Sequence, residues 1–401
     1  MMKKKRSKKA PVISSVASVA IAAIAIGGYF VYDKFFKTEQ TTTNKNISLN
    51  KEGFNVTHWN ILNYGGKNSN KGSLKVTGIT EILANLDSSI IGLTEINHGA
   101  GNKVANIVEG LNKLQNKHNY ASIIQNENDA INPTFENSKE QIAVLYDQNV
   151  FQPINFNGLA QNQMSFKQPI KFVGADRNTT YTRFPMINYF ENKVNGAKVA
   201  TIFAHFDSPD SNSKNGESDV KLPDSYQGVN ISKSGQGSQE VSEAFGLEQV
   251  FEFVKKYVDP KTTIIFGGDT NIKPNNNTIF QHFEDINKYQ TYYNSVDLEI
   301  YETSLGSSSS NPYANPYDKF LFIEGEKLDV IDANENTSQE YKELFKYDIV
   351  NMFNKYSEKY DRLKYRQLFK KENPDGSDSD FNIVKKISDH APITMTVVYK
   401  K

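Results

Sequence analysis

TTIIFGGDTN (262–271) opens as seven uncharged residues and closes on Asp269 and Asn271. The apolar part, 263–266, is short, β-branched and aromatic, the pattern of a strand buried on both faces. A carboxylate and an amide follow it directly, and strand termini are where α/β folds place their sites. The pattern recurs along the chain. Asn60 follows VTHW, Glu95 follows IIGLT, His205 closes TIFAH, and Asp389-His390 follows IVKKIS.

Working outward, 54–59 alternates as a strand does, and 71–86 sets Leu74, Ile79, Ile82, Leu83 and Leu86 at helical spacing. A buried strand is expected at 89–94 and a helix at 103–114. Further strands are expected at 121–125, 142–146, 182–189, 199–205, 320–323 and 392–399, and an amphipathic helix at 239–254. Early strands alternate with helices while later ones follow as hairpins. That order predicts an α/β protein with mixed sheets rather than a doubly wound parallel sheet. Two polar stretches, 208–238 and 338–379, read as long inserts overhanging the site. Residues 307–317 read as a loop and 41–50 as a tether.

The 401 residues include no cysteine, which excludes disulfides, a thiol nucleophile, zinc–cysteine sites and Fe–S clusters. Aromatics at 12% supply enough bulk for a large core, against disorder. Lys+Arg and Asp+Glu both number 46, yet the balance is uneven. Residues 1–34 hold seven basic residues and one acid, leaving 39 basic and 45 acidic beyond them, a net of −6. The basic cluster precedes 12–32, a charge-free run long enough to cross a bilayer. Positive charge ahead of it places the N-terminus in the cytoplasm and the remainder outside the cell. The expected organisation is a basic tail (1–11), a transmembrane signal anchor (12–32), a linker (33–52) and a catalytic domain (53–401). A cleaved signal peptide is the alternative and would give a secreted protein.

The strand-end residues are carboxylates, amides and imidazoles, with no serine elbow, no phosphate-binding glycine loop and no His-x-x-x-His. Oxygen donors of this kind suit Mg²⁺, with Mn²⁺ or Ca²⁺ possible, more than Zn²⁺. Mg²⁺ is commonly shared between protein carboxylates and phosphate oxygens, so the composition points to a phosphoryl substrate.

Eight short motifs stand in a telling order: WNILNYG (59–65), IIGLTEIN (90–97), KEQIAVLYD (139–147), TRFPMI (182–187), FAHFDSP (203–209), GGDTNI (267–272), YDKFLF (317–322) and SDHAPI (388–393). In that order they resemble the endonuclease/exonuclease/phosphatase superfamily, over roughly 53–399. Within it, the chain is most similar to the membrane nucleases of mycoplasmas. The resemblance implies a DNase I-like four-layer sandwich, two mixed β-sheets face to face with helices outside. It implies that Glu95, Asn60 and Asp389 hold the metal, with Asn60 also touching phosphate. Glu140 would orient His205, and Asp318 would orient His390, each histidine serving as acid or base. Asp269 and Asn271 would hold the nucleophilic water, while Arg183 and Tyr317 would contact phosphate. Two departures bear on substrate. Asn97 stands where DNase I-type enzymes carry a minor-groove arginine, and Lys319 follows Asp318.

These readings converge on a membrane-anchored, extracellular, divalent-metal-dependent nuclease with DNA, or else RNA, as substrate and no protein partner implied. One rival is a sphingomyelinase-like lipid phosphodiesterase of the same fold; another is a non-catalytic surface-binding protein. A phosphodiester is an anion, so a metal is needed to mask its charge, and paired histidines can move protons at the two ends of the displacement.

Overall fold

Two sheets, each built around one parallel crossover, account for the architecture. The computed structural model describes residues 52–209, 235–276, 278–280, 290–291, 301–331 and 345–400. The expected tail, anchor and linker lie almost wholly outside these residues. Among the described residues no helix is long and apolar enough to cross a membrane.

The first sheet contains β1 (Gly53–Tyr64), β2 (Ser88–Asn97), β3 (Tyr120–Ile124) and β4 (Glu140–Asp147). The second contains β5 (Phe151–Pro153), β6 (Gln163–Ser165), β7 (Met186–Asn192), β8 (Lys198–His205), β9 (Thr263–Asp269) and β10 (Asp318–Ile323), with an edge pair at Gln290–Thr291. The chain then returns to the first sheet with β11 (Leu328–Ile331) and β12 (Ile393–Tyr399), giving the order β11-β12-β1-β2-β4-β3. In the second sheet β10, β9, β8 and β7 are successive neighbours, and both β5 and β6 pair with β7.

β1 and β2 are parallel, joined by α1 (Leu74–Leu86), and β8 and β9 are parallel, joined through α3 (Ser238–Lys255). The other strand pairs in these two sheets are antiparallel. Parallel neighbours require a crossover, and a helix laid on the sheet supplies it. Helix α1 begins at Ser73, whose hydroxyl accepts from the Val76 amide at 3.2 Å, which explains why helical spacing seen from 71 becomes helix only at Leu74.

Alternation along the strands sorts the side chains into layers. Phe54, Val56, Ile90 and Val144 of the first sheet meet Phe203, Ile265, Phe320 and Phe322 of the second in one core between the sheets. The opposite face of the first sheet, with Trp59, Ile61, Ile91 and Leu93, packs against α1, α2 (Ala105–Leu114), α4 (Arg362–Glu372) and α5 (Asp380–Ile387). The outer face of the second, with Ile202, Ala204 and Phe266, packs against Val241, Phe245 and Phe251 of α3. The result is helix, sheet, sheet, helix, the layered α/β arrangement expected.

Three local expectations need correction. Residues 345–379 are not an overhanging insert; they pack on the first sheet through Phe345, Ile349, Met352, Phe353, Tyr360, Tyr365 and Phe369, all buried. Single aromatics spaced among polar residues carry that core, too sparse to register as an apolar run. Residues 305–313 form a hairpin, Leu305–Ser308 with Asn311–Tyr313, rather than a loop. The strand expected at 182–189 starts only at Met186, because Pro185 lacks an amide hydrogen and the Thr182 amide is taken by Glu243 Oε1 at 2.5 Å. Of the other insert, 210–234 lies outside the described residues.

Close approach of the sheets depends on Gly92. A Cβ there would lie 2.1–2.4 Å from three atoms of the Phe203 ring. Gly92→Ala should therefore cost about 1–3 kcal/mol, read as a lower denaturant midpoint at unchanged m-value.

At the end of the first sheet marked by Asp147, His118 sits between two carboxylates, with Nδ1 2.6 Å from Asp147 and Nε2 2.6 Å from Asp87. Burial opposes its protonation, but the Asp87 and Asp147 hydrogen bonds prevail and raise its pKa above the ordinary value. A raised folded pKa contributes stability that is complete below the unfolded value, about 6.5, and lost as pH climbs through the folded one. The Tm difference between wild type and His118→Gln should accordingly be larger at pH 6 than at pH 9; an equal difference at both would refute the ion pairing.

Candidate active site

The four parallel strands deliver their carboxyl ends to one place. Asn60 comes from β1, Glu95 from β2, His205 from β8 and Asp269 from β9. Antiparallel strands add their beginnings: Glu140 opens β4, Asp318 opens β10, and His390 precedes β12. Register aligns three of these, since His205 pairs with Asp269 and Asp269 with Asp318. Residues level across adjacent strands share a face. Parity places that face toward the first sheet, where Phe203, Ile265 and Phe320 also lie.

By the same parity Glu95 should point into the helical layer. It does not, because the backbone breaks there. Glu95 has φ 59°, and the ladder shifts register between Leu93 and Ile96 on one side and between Asn60 and Tyr64 on the other. Leu62 and Asn63, both at φ 50°, form the facing bulge of β1. Bulges re-aim side chains, and positive φ at residues with a Cβ is strain of the kind found at working sites. Here the bulge brings Glu95 Oε1 to within 2.7 Å of Asn60 Nδ2 and Oε2 to within 3.0 Å of the Asn63 amide.

Asn60 Nδ2 also donates to Asp269 Oδ2 at 3.0 Å. That oxygen is the centre of the cluster, with His205 Nε2 at 3.6 Å and His390 Nε2 at 3.5 Å. Behind each imidazole stands a carboxylate: Glu140 Oε2 is 2.8 Å from His205 Nδ1, and Asp318 Oδ2 is 2.7 Å from His390 Nδ1. Burial opposes charge on both histidines, and Arg183 opposes it at His205. The carboxylates win in both cases, Glu140 raising His205 and Asp318 with Asp269 raising His390 well above its ordinary value. Burial would likewise raise Glu140, but His205 and Arg183 pull it down to about 2.

The remaining expected residues fall around this centre. The Asn271 amide donates to Asp269 Oδ1 at 3.1 Å, and its side chain donates to the Phe206 carbonyl at 3.2 Å. Tyr317 stacks over the His390 ring, centroids 6.3 Å apart. Arg183 is engaged as a holder of Glu140, with Nε 2.9 Å from its Oε1 and an Nη1 bond to the Phe206 carbonyl at 2.8 Å. Lys319 faces the other side of β10, its ammonium donating to the Pro316 carbonyl, and burial lowers its pKa to about 7.

Two groups could hold a cation. Asp269, Asp318 and His390 each offer one ligand atom within 4.8 Å of the others. Yet the 2.7 Å contact between Asp318 and His390 keeps a proton between those two atoms. The expected ligands Glu95, Asn60 and Asp389 offer oxygen donors, which suit a hard cation better, although Asn60 here turns its Nδ2 toward Glu95 and its Oδ1 to the Leu62 amide. Each Glu95 oxygen accepts one hydrogen bond and keeps a free lone pair, while Asp389 Oδ1 is buried with no hydrogen-bond partner.

Several contributors escaped the sequence reading. The Trp59 indole donates to the His390 carbonyl at 2.7 Å, and the Ser388 hydroxyl donates to the Asn60 carbonyl at 2.7 Å, fastening the two motifs together. Glu243, raised to about 7 by burial, accepts from the Thr182 and Asp207 amides and so fixes the segments flanking Arg183 and His205. Lys75 donates to the carbonyls of Ile61, Leu62 and Ile387 at 2.6–2.8 Å. A lysine set between Leu74 and Val76 at the start of a helix is the available sequence signal.

Among known proteins, no family model matches the chain. An uncharacterized protein of Mycoplasma pneumoniae (strain ATCC 29342 / M129 / Subtype 1) is 34% identical over 138 residues, 34% of this chain. The match spans only 26% of that relative's length. Similar solved structures include an endonuclease/exonuclease/phosphatase from Bacteroides vulgatus, 11% identical, covering 87% of this chain and all of that one, with TM-score 0.47. The human Nocturnin catalytic domain with bound sulfate is 14% identical, covering 87% and 95%, with TM-score 0.46. A Bacteroides thetaiotaomicron protein of the same named family is 13% identical, covering 88% and 99%, with TM-score 0.44. Its structural neighbours are endonuclease/exonuclease/phosphatase family proteins.

Lys75→Met keeps the stem but strips the ammonium from three buried carbonyls. It should lower stability by about 1–3 kcal/mol in a denaturant melt. Unchanged stability would mean those carbonyls find other donors.

Proposed function

We propose that the chain is a divalent-metal-dependent phosphodiesterase that hydrolyses nucleic acid, DNA first, at the cluster around Asp269. One observation carries the reading: two imidazoles, each backed by its own carboxylate, direct their Nε2 atoms at the same Asp269 oxygen, at 3.6 and 3.5 Å. A single histidine–carboxylate pair is common structural furniture. Two converging on one oxygen suit a displacement in which one proton leaves and another arrives.

The charge balance supports an anionic substrate taken with a cation. Glu95, Glu140, Asp269, Asp318 and Asp389 outnumber Lys75, Arg183 and the two imidazoles whose protonation they favour, so a phosphodiester entering this cluster would need a cation to offset its charge. Glu95, Asn60 and Asp389 are the residues that would hold Mg²⁺, with Mn²⁺ or Ca²⁺ as substitutes. Bound there, the ion supplies charge neutralisation on the phosphoryl oxygens.

The chain's own groups do the rest. Asp269, held by Asn60 and the Asn271 amide, can orient an attacking water. One imidazole accepts that water's proton and the other donates to the leaving oxygen. Glu140 and Asp318 hold each ring with Nδ1 protonated, which leaves Nε2 to do the exchange. At the rim, exposed Asn97 is level with Glu140, so no arginine is fixed there for a duplex groove. The charge-free run behind a basic cluster supports display of this domain at the outer face of a membrane.

The test combines substrates with variants. The purified protein should cut plasmid DNA with Mg²⁺ and stop in EDTA, while sphingomyelin stays intact. His205→Ala and His390→Ala should each lose about 10²–10⁴-fold in kcat. The double variant should lose far less than the product, as residues acting together do. On bis(p-nitrophenyl) phosphate, whose leaving group needs no proton, the variant lacking the acid should regain turnover. Full activity in EDTA, or near-normal DNA cleavage by both single variants, would defeat the proposal.

A further inference from the structure

We propose that His58 is a positioning residue for the reaction, holding Asp318 from the side away from His390, so that the working unit is His58–Asp318–His390. The inference rests on the reading of His390 as an acid or base. His58 lies on β1 two residues before Asn60, on the face toward the second sheet and without solvent exposure. Its Nδ1 is 3.3 Å from Asp318 Oδ1, close enough for an ion pair but not aligned as a hydrogen bond, and both atoms are buried without any hydrogen-bond partner. The other Asp318 oxygen is 2.7 Å from His390 Nδ1. Each oxygen of one buried carboxylate thus faces its own imidazole.

Hydrogen-bond chemistry sets where the Nδ1 hydrogen sits. A carboxylate only accepts, so the Nδ1 that faces it carries the hydrogen. That leaves Nε2 bare, and Thr94 Oγ1 stands 3.2 Å away to donate to it. The ring is also fixed in its plane, stacked on Phe203 with centroids 6.2 Å apart and an interplanar angle of 18°. Gly92, the register partner of His58, leaves the space that the Phe203 ring occupies beneath this stack.

The other pair is built alike. Glu140 has His205 on one oxygen and Arg183 on the other. Rotation about the last bond of an Asp side chain is soft, and a carboxylate with one partner can swing. Two partners on two oxygens stop that motion and fix the direction in which His390 presents Nε2. His58 therefore does for Asp318 what Arg183 does for Glu140, with an imidazole in place of a guanidinium.

Three variants and one spectrum test this. His58→Phe keeps the stack and removes both nitrogens; His58→Asn restores an N–H near the position of Nδ1. On DNA with Mg²⁺, His58→Phe should lower kcat about 10–100-fold, the usual effect of losing such an outer partner, with KM unchanged. His58→Asn should recover most of the loss. In a His390→Ala background, His58→Phe should cost less than about 3-fold, because no ring remains to be aimed. An equal loss in both backgrounds, or Asn no better than Phe, would reduce His58 to packing. Independently of folding in any variant, ¹⁵N spectra of the wild-type histidine rings should show His58 protonated at Nδ1 and bare at Nε2. The opposite tautomer overturns the inference. Should His390→Ala alone leave cleavage intact, the underlying reading of His390 fails, and this proposal fails with it.

Discussion

Strand register is the constraint on which the rest depends. His205, Asp269 and Asp318 stand level across β8, β9 and β10, so a single pairing pattern sets their spacing. A slip of one residue in any of these strands would turn its polar end toward α3 and set an apolar side chain in its place. The core between the sheets prevents this. Phe203, Ile265 and Phe320 lie on the same face as this polar row, and each would have to leave that core if the register moved. Packing energy spent on aromatics therefore also fixes the geometry of the polar cluster at their edge.

The first sheet meets that row with bent strands. β8 and β9 run straight to their polar ends, whereas β1 and β2 bulge together and turn Asn60 and Glu95 into the gap. The straight sheet supplies Asp269, the shared centre of the two histidine–carboxylate pairs, and the bent sheet brings Asn60 and Glu95 against it. Lys75 and Ser388 then tie the bulge to the segment carrying Asp389 and His390.

How much of this could be read from sequence follows from what each feature needs. Polar residues closing apolar runs were visible, since a strand end needs only local order, and all four parallel-strand ends emerged that way. The acid partners Glu140 and Asp318 came only through family resemblance, because a partner more than sixty residues away leaves no local trace. His58 was hidden for a different reason. Inside VTHWN it reads as one more alternation of a strand, and its role appears only when the second sheet brings Asp318 against it. The helical layer at 345–387 was misjudged because its core is made of dispersed aromatics, whose contribution depends on converging from separate turns.

Among the described residues, four of the five non-glycine positions with left-handed backbone, Leu62, Asn63, Glu95 and Asn271, surround the cluster. Each holds a conformation that costs of order 1 kcal/mol against an ordinary one. The carboxylates crowded there repel one another as well. The molecule thus keeps its site against its own stability, and most ways of easing the tension would straighten a strand or remove a charge. If the proposed function holds, a lineage freed from the need to cut phosphodiesters would gain stability with its first losses of activity. Such descendants should retain the layered core while their strand ends relax, leaving a robust shell that no longer does chemistry.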